Sequence, residues 1–455
     1  MTTASTSPAP LSYRAHVRTA LALGVPLVGS SIGGMLMNTT DTVMLGWYGI
    51  TELAAGALAT QFWFTVMMFG AGFAYAVVPL ASQAEGQGDV VRVRRATRMG
   101  MWVCFAFCCA VMPILWFTEP IFLALGQDAE VARLGGEYMR IAQWAMFFLL
   151  GTWTLRGFLT AIERTAFVFW ATFVGVFVNI ALNWLFIFGN GGMPEMGMRG
   201  AAVATVGTNG SIFVATLVYC AVNKRAAPYE LLVRVWKPDW EAFREVFRLG
   251  LPIGLMITAE TGMFIFSSLF MGWISVVALA SHGIVLQIAS LAFMVPMGMS
   301  QAATARVGTF YGQTDAANLN RAAAVMMALC LAFACAAGAL FLSVPETLIA
   351  LFLDEAKSES AAVAAYAVPL LFVAACFQLT DTSQAIGAAL LRGLNDTRVP
   401  MVMASFSYWI VGLGLSYVLA FPLGLGGVGV WIGLASGLGM ATVLLNWRFL
   451  RIRPI

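Results

Sequence analysis

The sequence predicts an all-α polytopic membrane protein with twelve transmembrane helices in two pseudo-symmetric six-helix bundles. Three observations carry that prediction. First, 60% of the 455 residues are hydrophobic and only 10% are charged, where a soluble protein has about a quarter charged. Second, twelve apolar runs divide the chain, each near the roughly 20 residues needed to cross a bilayer core. Third, the first three runs recur further along the chain. So little charge leaves too few polar groups to cover a soluble enzyme, a nucleic-acid binder or a disordered scaffold. No alternating β pattern is present, which excludes a barrel and leaves helices to satisfy the backbone.

The runs lie at 20–46, 54–78, 99–118, 138–160, 166–189, 199–222, 248–272, 278–300, 322–345, 366–390, 400–421 and 426–447. The first follows a polar Pro/Ser/Thr-rich stretch with no apolar core, so this run itself is expected to direct insertion. Runs two and three are parted by an arginine cluster (Arg92, Arg94, Arg95, Arg98), runs four and five by a short turn at Arg164, and runs five and six by a Gly/Pro-rich turn. Between runs six and seven lies the longest connection, 223–248. There Asp239 is placed to cap a short helix, with Trp240, Phe243, Val246 and Phe247 on one face, so an interfacial helix joining two bundles is expected. The domains follow: an N-terminal lobe at 1–222, a linker at 223–247 and a C-terminal lobe at 248–455.

Positive charge orients the spans. With the N-terminus inside, 21 of the 25 Lys and Arg fall on the inner side, leaving only Arg133, Arg140, Arg199 and Lys357 outside. That asymmetry predicts an even span count and cytoplasmic termini in a multi-pass plasma (inner) membrane. The seven cysteines all fall in apolar runs without a CxxC pair, so packing is their expected role. His16 and His282 are expected at the interfaces.

The repeat is gapless at an offset of 226 residues. Leu23-Gly24-x-Pro26 aligns with Leu249-Gly250-x-Pro252, Gly46-Trp47 with Gly272-Trp273, Gln61 with Gln287, and Gly72 with Gly298. The loop Gly86-Gln87-x-Asp89 aligns with Gly312-Gln313-x-Asp315 in register with the helices, which shared composition alone does not produce. Each half holds six spans, so the repeat is parallel, the arrangement of two bundles that rock about a central cavity. Pro26 and Pro252, at matching places, are candidate helix hinges.

Three acids lie well within spans: Asp41, Glu260 and Asp381. Facing lipid, each costs about 2.5–3.5 kcal/mol or more, so each is expected to face a cavity or a partner, and no intramembrane Lys or Arg is placed to neutralise them. Glu260 and Asp381 fall at similar depths, about 15 Å from the cytoplasmic edge, and form a candidate coupling-ion site in the C-terminal lobe. Gln287, Gln378 and Thr380 are candidate supporting oxygens. Asp41 lies in the outer half of the N-terminal lobe, where Asn179 and Asn183 share a helix face and Gln61 and Thr205 reach similar heights. This second group is a candidate ion or drug site, and its oxygen-rich character suits Na⁺ or a proton. Nothing marks a nucleophile or transition-metal constellation, so the chain is not expected to be an enzyme. Abundant Met and aromatic residues suit flat hydrophobic cations.

The segment from Pro26-Leu27 through Asn38-Thr39-Thr40-Asp41-Thr42-Val43-Met44-Leu45-Gly46 resembles the first helix of MATE (multidrug and toxic compound extrusion) transporters, particularly the NorM-type branch. Gly250-Leu251-Pro252-Ile253 leading to Glu260, and Gln378-Leu379-Thr380-Asp381 leading to Leu391-Arg392-Gly393-Leu394-Asn395-Asp396-Thr397, resemble its seventh and tenth helices. The resemblance implies export of cationic amphiphilic drugs or toxins in exchange for Na⁺ or H⁺. It also implies coupling-ion roles for Glu260 and Asp381, and an ion- or drug-linked role for Asp41 with Asn179 and Asn183. The implied partners are small cationic or hydrophobic substrates and the bilayer, with no nucleic acid and no cofactor beyond the coupling cation, and a functional monomer is expected. Two positions depart from the pattern. Phe377 stands where some NorM-type members carry Tyr, and Asn183 where DinF-type members can carry Asp. The nearest rival, a lipid-linked precursor flippase of the wider superfamily, is expected to present cavity Arg or Lys to a pyrophosphate, and none is evident in the sequence.

Overall fold

The computed structural model describes residues 11–353 and 360–454, and within them the chain is almost wholly helical. Residues 1–10 of the polar leader, and Lys357, lie outside the described residues. The spans are α1 (Tyr13–Tyr48), α2 (Thr51–Gly86), α3 (Val90–Trp116), α4 (Ala129–Ala142 continuing as Ala145–Ala161), α5 (Ala166–Phe188) and α6 (Met198–Val222). The second half supplies α7 (Trp240–Ile274), α8 (Val276–Gly312), α9 (Ala316–Ser343), α10 (Ser360–Gly393), α11 (Arg398–Ala420) and α12 (Gly426–Ile452). Among the described residues, eleven of these are long and apolar enough to cross a bilayer unbroken. The twelfth is α4, which breaks at Gln143–Trp144 and keeps a shorter apolar segment beyond the break.

Several helices outrun the apolar stretches that mark them in the sequence. The 36 residues of α1 make a rod of about 54 Å, well beyond the hydrocarbon core. The extra turns are polar and are held by caps rather than by hydropathy. Ser12, Asp89, Asp239 and Asp315 accept from the backbone N–H of Ala15, Arg92, Ala242 and Asn318 at the starts of α1, α3, α7 and α9.

The expected separate interfacial helix is a correction. Asp239 caps as its position suggests, but Trp240–Arg248 are the first turns of α7 itself, because nothing between Asp239 and Pro252 breaks the helix. Arg95 anchors this start, pairing with Asp239 and, at 2.7 Å, with Glu241. The Arg95 guanidinium holds the Asp239 carboxyl below its ordinary 3.8. The contact therefore contributes fully above that pH and is lost as pH falls through the lower folded-state value.

Two lobes pack around separate cores, and each lends a helix end to the other. Ala20, Leu23 and Leu27 of α1 sit in the core of the second lobe, while Ala242, Val246, Leu249 and Ile253 of α7 sit in the core of the first. Leu23 and Leu27 are equivalent in the repeat to Leu249 and Ile253, so the exchange is reciprocal.

The repeated glycines mark where the lobes touch. A Cβ on Gly86 would lie 2.1 Å from the Thr309 carbonyl oxygen, and one on Gly312 would lie 2.1 Å from that of Gln83. Farther in, a Cβ on Gly72 would meet the Gly254 nitrogen at 2.2 Å, and one on Gly298 the Val28 nitrogen at 2.5 Å.

Polar latches lie at the same face. The Gln83 side-chain amide donates to the Gly393 carbonyl at 2.8 Å, Asn395 donates to Gln83 Oε1 at 2.7 Å, and Arg306 pairs with Glu163 at 2.7 Å. Glu163 and Asn395 occupy matching turns and share left-handed backbone, φ 58° and 60°. The lobes are thus joined at the arginine-rich face that also carries the described ends of the chain.

Val at Gly86 or Gly312 places a Cβ against a backbone carbonyl that cannot give way. Each variant is expected to lose about 1–3 kcal/mol, read as a lower thermal midpoint in detergent. Gly34→Ala, with nothing near its Cβ, should stay within experimental error of wild type. An equal fall for Gly34→Ala would remove the argument for close lobe contact.

Candidate functional site

The first-lobe group forms around Asp41, seven residues before the end of α1, or about 10 Å from it. Its threonine neighbours turn to their own helix. Thr39, Thr40 and Thr42 donate to the carbonyls of Met35, Leu36 and Asn38 at 2.9–3.1 Å, leaving Asp41 as the group that reaches across. From α5 the side-chain amides of Asn179 and Asn183 both donate to Asp41 Oδ1, at 2.9 and 2.5 Å. Their i, i+4 spacing puts both on the face toward α1.

Both asparagines are buried, and neither Oδ1 has a partner among the described residues. The Thr205 hydroxyl donates to the Ala201 carbonyl at 2.9 Å and lies within reach of both Asp41 and Tyr138, and Thr60 also reaches Tyr138. The structure therefore brings Asp41, Asn179, Asn183 and Thr205 together. Tyr138 is an addition, invisible in sequence because its run carries no polar period to mark it. Gln61 is exposed, and among the described residues no hydrogen bond joins its side chain to this group.

The second-lobe group joins Glu260 of α7 and Asp381 of α10, which are close enough to interact electrostatically. Asp381 is buried, and its Oδ1 has no hydrogen-bond partner among the described residues. Around it Gln378 (both amide atoms), Thr382 Oγ1 and Gln384 Oε1 are also buried and unpartnered. Gln378 thus joins the group, whereas two other expected supports do not. Gln287 is exposed, as is its repeat mate Gln61, and the Thr380 hydroxyl is spent on the Phe377 carbonyl at 2.9 Å.

Tyr408 is the main addition here. It is fully buried, receives a hydrogen bond from the Gln384 amide, and lies within electrostatic reach of both Glu260 and Asp381. A π-helical turn at Ser407–Leu413 sets it there, an irregularity frequent at functional sites. The same turn sends the Trp409 indole N–H to the Ala259 carbonyl, beside Glu260, at 3.2 Å. Tyr408 thus brings a phenol into this interior, while Phe377 packs against Trp431 and Phe264.

One further expectation is corrected. An intramembrane arginine does approach one of the acids. Arg392 interacts electrostatically with Glu260, Tyr75 and Tyr408, and Arg156 shares Tyr75 with it. Both sit near the ends of their helices, and their long side chains reach inward, which position along the chain does not reveal. Arg156 also donates to the Leu27 carbonyl at 3.2 Å, one residue past Pro26, while Pro26 and Pro252 both stay inside continuous helices.

Both histidines are buried within the protein. His16 contacts Asn318 Oδ1 at 3.1 Å and His282 the Ser268 hydroxyl at 3.1 Å. Burial follows because α1 and α8 pack those faces against other helices.

Among the described residues no three or more His, Cys, Asp or Glu converge. Each group instead offers one or two carboxylates among neutral oxygens, which is the chemistry of Na⁺ or H⁺ rather than of a transition metal. A carboxylate left unpaired at this depth is costly, and the orphaned oxygens beside it suit a cation or a proton as the missing partner.

A family model described as MatE matches the chain twice, over residues 26–185 and 252–418, so the two matches start at the repeat-related prolines. A relative from Rhizobium meliloti, "Probable multidrug resistance protein NorM", is 47% identical over 441 residues, covering 97% of this chain and 94% of that protein. One of the same name from Agrobacterium fabrum is 46% identical, covering 96% and 94%. Among solved structures, the eukaryotic MATE transporter AtDTX14 superposes with a TM-score of 0.87 at 20% identity over 96% of each chain. An outward-facing multidrug resistance MATE family transporter gives 0.87 at 20% identity, over 96% and 95%.

Replacing Asn183 with Leu removes one of the two amide donors to Asp41 and leaves a buried acceptor short. A loss of about 1–3 kcal/mol is expected. A double-mutant cycle with Asp41→Asn should return a coupling of about 1 kcal/mol or more. Additive effects would mean that the contact carries no energy.

Proposed function

Because this chain belongs to the MatE family, we propose that it is a secondary antiporter exporting cationic, amphiphilic drugs or toxins in exchange for Na⁺ or H⁺. The observation that carries the coupling is the Glu260–Asp381 pair, two acids in one lobe interior with a buried carboxylate oxygen that no group among the described residues satisfies. A cation or proton arriving there neutralises charge that otherwise favours a positively charged drug. Ion and drug then bind the same states with different affinities, which is sufficient to link their flows. Asp41, held by Asn179, Asn183 and Thr205, serves as a second ion or drug site in the other lobe.

The arginine-rich face is the cytoplasmic one in this reading, as the charge asymmetry supports. The latches at Gln83, Arg306 and the repeated glycines then close the inner side, and they part when the lobes rock to open it. The working unit is a monomer in the inner membrane, performs no covalent chemistry and needs no cofactor besides the coupling cation.

A flippase for lipid-linked precursors is the second reading, favoured by one observation: Arg392 lies in the interior near Glu260. It predicts that anionic lipid precursors, not cationic dyes, compete for the site.

The test is dye transport in everted vesicles under a Na⁺ gradient and a pH gradient imposed separately. One gradient should drive wild-type transport, and Glu260→Gln and Asp381→Asn should each reduce it at least about tenfold with expression retained. Asp41→Asn should lower it as well. Undiminished gradient-driven transport in all three variants would sink the proposal.

A further inference from the structure

A cavity of ≈ 650 Å³ lies at the arginine-rich face, where the start of α3, the start of α7 and the α10–α11 turn meet. Nothing in the antiport cycle uses it. Its wall holds five arginines and four acids, yet the acids are already engaged. Glu245 pairs with Arg92 at 3.0 Å, Glu241 with Arg95 at 2.7 Å, Asp396 with Arg448 at 2.5 Å, and Asp89 caps α3.

Arg244, Arg248 and Arg398 remain, exposed and with no partner among the described residues. Arg244 and Arg248 are one helical turn apart on α7, and Arg398 faces them from the first turn of α11, which Thr397 leaves without a side-chain cap. Three guanidinium groups and a helix N-terminus around one cavity form an oxyanion site, with the planar forks that suit phosphate.

Exposed aromatics beside the cavity point to the source of the phosphate. Trp240 is 71% exposed and Phe247 43% exposed, on the same turns of α7, and such aromatics sit at the headgroup level of a bilayer. We propose that this cavity binds the phosphate headgroup of an anionic phospholipid from the leaflet on the arginine-rich side. Arg244, Arg248 and Arg398 are its ligands, in keeping with basic pockets between transmembrane helices that hold anionic lipid headgroups.

The occupant touches both lobes. Arg92 and Leu80 line one wall from the first lobe, while Asn395, which latches to Gln83, lines the other from the second. A seated headgroup therefore favours the state in which this face is closed.

Native mass spectrometry of the full-length protein in mild detergent tests the site, with phosphatidylglycerol or phosphatidylcholine added. Wild type should retain phosphatidylglycerol. Its apparent affinity should fall about fivefold for each of Arg244→Gln, Arg248→Gln and Arg398→Gln, the scale of one basic side chain at an anionic surface. Phosphatidylcholine retention should not change, and Arg14→Gln, on the same face outside the cavity, should behave as wild type. Where one of these variants fails to fold, the other two carry the same reading. Equal phosphatidylglycerol retention by the variants would overturn the assignment. So would inorganic phosphate raising the thermal midpoint as much as phosphatidylglycerol does, since the cavity would then take the free ion and not the lipid.

Discussion

A carboxylate held in a low-dielectric interior needs a partner, and the rest of this molecule is arranged around that requirement. In the first lobe the protein supplies the partners itself, two asparagine amides and a threonine hydroxyl around Asp41. In the second lobe it stops short, for Glu260 and Asp381 lie close enough to interact while Asp381 Oδ1 has no hydrogen-bond partner among the described residues. An acid already held by its own chain gains less from a passing cation than one that is not, although the orphaned Oδ1 atoms of Asn179 and Asn183 leave room for a guest beside Asp41 as well. In the proposed antiport the two lobes therefore differ in how readily each takes up a cation.

The scaffold beneath these acids is symmetric while the chemistry is not. Glycines at matching places bring α2 and α8 into contact, and α1 and α7 trade their first halves between lobes. Yet the repeat counterpart of Asp41 is Ser267, and that of Glu260 is Gly34. Contacts that join and separate the lobes must work in both halves and stay matched. Charges that discriminate among guests gain from being unlike, since two equal sites would give two ions no distinct tasks.

Irregular backbone is placed where side chains need to be re-aimed. The π-helical turn of α11 puts one extra residue into the helical register, which turns Tyr408 into the lobe interior and Trp409 toward α7. The break in α4 at Gln143–Trp144 separates the turns that carry Tyr138 from those that carry Arg156. The break in α4 has no Pro or Gly at the spot to announce it, whereas the turn in α11 holds Gly412, and both are sustained by packing from neighbouring helices.

Hydropathy and charge located the spans along the chain, because burial in lipid acts on each segment by itself and leaves its mark in local composition. They did not locate the ends, since helices such as α1 and α8 run on through polar turns that hydropathy does not mark. The Asn179/Asn183 face and the three acids were legible for the same reason, as polar groups in apolar runs stand out. What the chain order left undecided was which of these groups meet. Gln61 and Gln287 read as supports and are exposed, while Arg392, Tyr138 and Tyr408, unmarked in sequence, reach the acids through side-chain length or helix register. Position along a helix is a local property of the chain, whereas the rotation of that helix against its neighbours is set only when all twelve pack together, and that rotation chose the partners of each acid.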